Sequence, residues 1–183
     1  MSGPFIIPWR GKTPKISPDA FIAPNATIIG DVEIGPGSSI WFGCILRADV
    51  NVMRIGARTN IQDGSIIHVD SGGFATIIGD DVLVGHKAMI HGSTIEDKGF
   101  VGMCATLLDG VTVESEGMVA AGALMSPGKR VGKRQLWAGM PAKFIRDLRE
   151  EELAGMARGV AAYAERAIEM RAQIAALSKN TSP

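Results

Sequence analysis

The sequence predicts a mainly β fold, a parallel β-helix of hexapeptide repeats with a C-terminal α-helix packed on its side. Three observations lead there. An aliphatic residue recurs at every sixth position along most of the chain, turn-formers fill the places between, and the spacing turns helical only after Met140-Pro141. A period of six is neither the 3.6 of a helix nor the alternation of a hairpin series; it marks a solenoid of short strands and turns.

The chain reads as residues 1–142, the β-helix with an N-terminal lead-in, then 143–178, a helical segment, and 179–183, a frayed tail. The count begins at Ile16 and continues through Ile22, Ile28, Ile34, Ile40 and Leu46. A three-residue insertion shifts the frame to Ile55, Ile61 and Ile67. After the loop Val69–Ala75 it restarts at Ile78, Val84 and Ile90, loses one residue, and runs from Ile95 through Val101, Leu107, Val113, Val119 and Met125 to Val131. All nineteen positions hold Ile, Leu, Val or Met. Four places later the side chain is often small, as at Ala26, Ser38, Ala88, Ala105 and Ala123. Three hexads close a triangular coil of about 18 residues, and coils stack about 4.8 Å apart. The aliphatic residues then form one continuous apolar column.

Beyond Lys143, Leu153, Met156, Val160, Tyr163, Ala167 and Ile174 recur at helical spacing, with Glu and Arg between them. Gly155 and Gly159 weaken this helix by about 1 kcal/mol each relative to Ala, so packing on the coils must hold it.

Composition narrows the function. Lys+Arg and Asp+Glu balance at 19 each over 183 residues, which leaves no basic stripe for nucleic acid or an anionic membrane surface. No apolar run approaches the roughly 20 residues of a membrane span. The N-terminus, MSGPFIIPWRGK, lacks the features of a signal peptide, and a cytoplasmic location is expected. Cys44 and Cys104 fall about 14 Å apart by coil counting, too far for a disulfide, and both are expected to be packed thiols.

The three histidines, His68, His86 and His91, lie within 24 residues. Numbering the faces in order of their hexads, Arg47, His68 and His91 each follow a third-face aliphatic residue and should stack on successive coils. His86 falls two places after Val84 and Asp63 two places after Ile61, so this pair should stack beside the second face. One chain therefore keeps the histidines apart. Two chains unite them if the third face of one meets the second face of another, and three such contacts close a ring. Imidazole is the commonest metal ligand, and three histidines suit a zinc site with an open fourth position. Asp63 and Arg47 also suit an ion pair across such an interface.

These residues resemble the γ-class carbonic anhydrase family. The likeness is carried by Arg47-Ala48-Asp49, by Asn60-Ile61-Gln62-Asp63-Gly64-Ser65, by Ile67-His68, by Val84-Gly85-His86-Lys87-Ala88-Met89-Ile90-His91-Gly92 and by the closing Ala138-Gly139-Met140-Pro141-Ala142. The resemblance implies a left-handed coil, a homotrimer, and Zn2+ (or Fe2+ or Co2+) held between His68 and His91 of one subunit and His86 of its neighbour. It implies hydration of CO2 to bicarbonate by a metal-bound hydroxide, with Gln62 beside the bound solvent and Asn60 nearby. Arg47 and Asp49 would support the interface and the site, and Tyr163 resembles a family tyrosine that approaches the metal. The archaeal type carries an acidic loop after Arg-x-Asp. Here Val50 follows Asp49 directly, and the region after His68 offers only Asp70 as a proton carrier. Two other readings stay open: metal-assisted thioester hydrolysis or acyl transfer, and a non-catalytic trimeric metal-binding scaffold.

Overall fold

The computed structural model describes residues 3–180. Short parallel strands stack into three faces, coil upon coil, as the hexad count requires. Seventeen of the nineteen hexad residues are buried; Ile16 and Ile22, in the first coil, are partly covered. The small residues Ala26, Ser38, Ala88, Ala105 and Ala123 are all buried as well.

The frame shifts skip no face. Leu46 pairs with Ile67, and Ile67 with Ile90. Strand Ile45–Ile55 runs from the third face round the corner to the first, beside Thr27–Ile34. Its three extra residues form a bulge: Gly30 faces Ala48 and Val32 faces Met53, so residues 49–52 lie opposite Asp31 alone. Gly30 adopts φ +83°, and a Cβ there would lie 2.1 Å from the Ala48 carbonyl oxygen, so only glycine lets the two strands meet.

Among the described residues a single helix, α1, spans Glu150–Asn180 and lies along the second face, against strands Phe21–Ile22, Ser39–Ile40, Asn60–Ile61 and Leu83–Val84. Met156, Val160 and Ala167 are buried on it, with Leu153, Tyr163 and Ile174 partly so. Gly159 is a contact point: a Cβ there would come within 3.0 Å of the Leu83 side chain. The start of α1 is charged and capped. Glu150, Glu151 and Glu152 occupy its positive end, and the Glu152 carboxylate accepts a hydrogen bond from the Arg149 backbone N–H at 2.9 Å.

Three details differ from expectation. The helix starts at Glu150 rather than near Lys143. Residues Ala142–Asp147 form a strand antiparallel to Gln135–Gly139, with Trp137 opposite Phe144, because Met140-Pro141 reverses the chain before the helical spacing begins at Leu153. Lys179 and Asn180, expected in the tail, fall within the span of α1, and 181–183 lie outside the described residues. Cys44 is packed as expected, and burial pushes its thiol up to about 11. Cys104 is exposed, because it occupies a corner in the left-handed region (φ +59°) instead of an inward position.

Candidate metal centre

Strands Ile66–His68 and Met89–His91 pair in register on the third face, so His91 stands directly over His68 and His68 over Arg47. Their buried neighbours Ile67 and Ile90 point inward, which turns the imidazoles outward. The rings lie 5.0 Å apart, and Nδ1 of His68 is 3.0 Å from Nε2 of His91.

The outer nitrogens are occupied. Nε2 of His68 lies 2.8 Å from Asp49 Oδ1, and Nδ1 of His91 lies 2.5 Å from Asp109 Oδ1. An ionised carboxylate can only accept a hydrogen bond, so each ring proton sits on the nitrogen facing its aspartate. In the neutral rings the inner nitrogens then present two lone pairs to each other at 3.0 Å. A metal ion between them, or one further proton on either ring, relieves that arrangement. Two ligands about 2.0–2.1 Å from a tetrahedral zinc stand about 3.3 Å apart, close to the spacing seen. A carboxylate behind the imidazole is also the usual support of a metal-bound histidine. The donor set fits a metal ion.

Asp49 connects this pair to Arg47. Burial raises its carboxyl, but hydrogen bonds from His68 and Arg47 outweigh that and hold it below the ordinary range. Arg47 is thus paired with Asp49 within its own chain. The reading of Arg47 and Asp63 as partners concerns two subunits; within one chain each is committed elsewhere.

His86 lies in the corner after strand Leu83–Val84, one coil above Asp63, and its Nδ1 is 2.9 Å from Asp63 Oδ2. Its Nε2 faces outward, with the Tyr163 hydroxyl 3.3 Å away. Tyr163 comes from α1 and packs edge-on against Trp41 at 5.4 Å, so the helix delivers it to the histidine. Burial raises the Tyr163 hydroxyl, Arg166 opposes the rise, and Asp63 adds to it. The side chains of His86 and Asp63 remain 39% and 41% exposed, so this pair is open at the surface of a single chain.

Asn60 and Gln62 flank buried Ile61 on the second face, and both are buried. Gln62 Nε2 donates to Asn60 Oδ1 at 3.2 Å, which fixes the glutamine amide. Among the described residues, Asn60 Nδ2 is a buried donor without a partner.

The structure thus brings together Arg47, Asp49, His68 and His91 on one face, and Asp63, His86 and Tyr163 beside another. Among the described residues, no group of three or more His, Cys, Asp or Glu within the chain is arranged to hold a metal. Asp109 was not among the residues read from the sequence. It lies eighteen residues after His91, but this coil advances by seventeen, as Ile90 pairs with Leu107, so Asp109 stacks on Gly92 and the hexad count does not point to it.

The β-helix and these residues place the chain among known proteins. Residues 13–48 match the family described as bacterial transferase hexapeptide (six repeats). The chain is 51% identical over 157 residues to "Gamma carbonic anhydrase 1, mitochondrial" of Arabidopsis thaliana, covering 83% of this chain and 57% of that protein. It is 41% identical over 161 residues to "Carbonic anhydrase" of Geobacillus kaustophilus, covering 88% of each. In structure it is similar to a hexapeptide transferase family protein from Anaplasma phagocytophilum, at a TM-score of 0.87 and 40% identity, covering 90% of this chain and 97% of that one. The chain spans little more than half the length of the plant relative and nearly the whole of the bacterial one. It belongs to the γ-carbonic-anhydrase family of hexapeptide-repeat proteins.

Proposed function

We propose that this protein is a zinc-dependent carbonic anhydrase of the cytoplasm, a homotrimer whose metal ions are each held by His68 and His91 of one subunit and His86 of the next. Fe2+ and Co2+ suit the same imidazoles. The observation that carries the reading is the pair of inward-facing imidazole nitrogens on His68 and His91, 3.0 Å apart, with their outer nitrogens on Asp49 and Asp109. The two unpaired cysteines suit a reducing compartment.

The subunit contact has its own support. On the third face, Phe5, Thr27, Ile45, Ile66 and Met89 stack in register beside the row of Arg47, His68 and His91. Phe5, Ile45 and Ile66 are exposed in the single chain, an apolar ladder next to half of a metal site. Covering it with the second face edge of a neighbour would bring in His86.

When bound, zinc supplies the Lewis acidity that makes water nucleophilic near neutral pH. The protein's own groups do the rest. Asp49, Asp63 and Asp109 hold the ring protons of the three histidines. Gln62, its amide held by Asn60, keeps its carbonyl oxygen available to accept a hydrogen bond from the attacking water. Tyr163 beside His86, Asp70 and solvent carry the departing proton. CO2 is small and apolar, and a cleft between β-helices suffices to admit it.

The likeness to a hexapeptide transferase family protein favours a second reading, acyl transfer or thioester hydrolysis at the same place. Elemental analysis followed by stopped-flow CO2 hydration decides between them. About one zinc per chain with CO2 hydration supports the proposal. Zinc without hydration leaves the acyl-transfer or scaffold reading, and protein that takes up no metal refutes the site.

A further inference from the structure

Each of the three histidines leans on a different aspartate. Asp49 serves His68 and Asp63 serves His86, and both belong to the stretches that carry the family likeness. The third, Asp109, lies outside them, in the corner after strand Thr106–Leu107, with its carboxylate 2.5 Å from Nδ1 of His91. We propose that Asp109 is a positioning residue of the metal centre: it holds the His91 proton on Nδ1 and so presents Nε2 as the ligand. The inference rests on the metal reading above.

The surroundings of Asp109 are built to let it reach the ring. Gly92, next to His91, adopts φ +51°, and a Cβ there would lie 2.5 Å from Asp109 Oδ1 and 2.9 Å from Phe74 Cβ. Gly110, next to Asp109, lies under the Phe74 ring, where a Cβ would stand 3.0 Å from the nearest ring carbon. The two bare glycines thus open the space that the carboxylate and Phe74 share. The backbone is tied on both sides: Gly110 N–H donates to the Gly92 carbonyl at 2.8 Å, and Gly128 N–H to the Asp109 carbonyl at 2.9 Å. A carboxylate on so anchored a corner has little freedom to leave the ring. The imidazole is held from the side away from His68, and its free nitrogen is aimed at His68 Nδ1.

An incidental surface ion pair would alter stability and leave metal affinity alone. Positioning predicts the opposite, since removing the carboxylate behind a metal-bound histidine typically costs 10–100-fold in affinity. Zinc affinity of the full-length wild type and of Asp109→Asn should be measured by competition with a chromophoric chelator, with oligomeric state and circular dichroism checked alongside. A 10–100-fold weaker affinity in a folded Asp109→Asn supports the inference; equal affinity overturns it. Wild-type protein that takes up no zinc overturns the metal reading itself and this inference with it. If Asp109→Asn does not fold, 15N-histidine NMR of the zinc-loaded wild type decides. A His91 ring proton on Nδ1 supports the assignment, and one on Nε2 overturns it.

Discussion

Ile66→Asp should break the assembly and empty the metal site while leaving the β-helix intact. Ile66 points outward between buried Ser65 and Ile67, in register with Ile45 below and Met89 above, so its replacement does not touch the core column. Ile66 is 42% exposed in the single chain and Ile45 39%. Full burial of an isoleucine is worth about 1.5–3 kcal/mol, so covering the exposed two-fifths of Ile66 contributes about 0.6–1.2 kcal/mol at each contact. Burying a carboxylate there adds several kcal/mol of penalty. The penalty is capped near 4 kcal/mol at pH 7, beyond which the group takes up a proton instead. The sum is about 3–5 kcal/mol per contact, or more than a hundredfold in affinity at each of three contacts. Sedimentation with zinc analysis reads both consequences: the variant should run as a folded monomer and lose its zinc on dialysis. A trimer with stoichiometric zinc would show that the third face is not the contact. A monomer with full zinc would show that the site is not shared.

Gln62→Ala should retain zinc and trimer but lower kcat/KM for CO2 hydration about 100-fold, as loss of one preorganised hydrogen-bonding group does; steady-state stopped-flow assays at saturating zinc check this. Acid stability should depend on Glu152, whose carboxylate accepts hydrogen bonds from the two terminal guanidinium nitrogens of Arg146 and from Arg149. These bonds hold it well below its ordinary value of 4.5, the Arg146 pair contributing most. A lowered folded-state value means the stabilisation is complete above about pH 4.5 and is lost as the pH falls below it. Thermal melts of Glu152→Gln should therefore show a flatter acid limb than wild type, with lower stability near neutrality.

The fold was legible because one feature repeats nineteen times. A misplaced hexad anywhere would have shifted every later residue to another face, yet Leu46, Ile67 and Ile90 are in register across an insertion and a loop. The division of the histidines followed from the same counting: His68 and His91 stack, and His86 stacks with Asp63. What stayed hidden lies at corners and beyond the repeat. Asp109 reaches His91 only because Gly92 carries no side chain, a spatial condition that no hexad count contains. Cys104 was counted by its hexad but sits at a left-handed corner that turns it outward. The strand Ala142–Asp147 pairs with its predecessor through a reversal at Met140-Pro141, so the end of the repeat was mistaken for the start of the helix. Arg47 pairs with Asp49 two residues on along one strand, a contact within the chain that the hexad count does not name. Tyr163 was placed by the helix stripe, but its approach to His86 needed the packing of α1 against Trp41.

The shared site itself is tested most directly by mixing subunits. His68→Ala and His86→Ala chains should each bind no zinc alone. When the two are unfolded together in equal amounts and refolded, a cyclic trimer of mixed composition contains one contact where an intact His68–His91 pair meets an intact His86. About three-quarters of random trimers are mixed, which predicts about one zinc per four chains. Restoration to that level, with CO2 hydration in proportion, is the expected result. No zinc in the mixture, or full zinc in His86→Ala alone, would contradict the account.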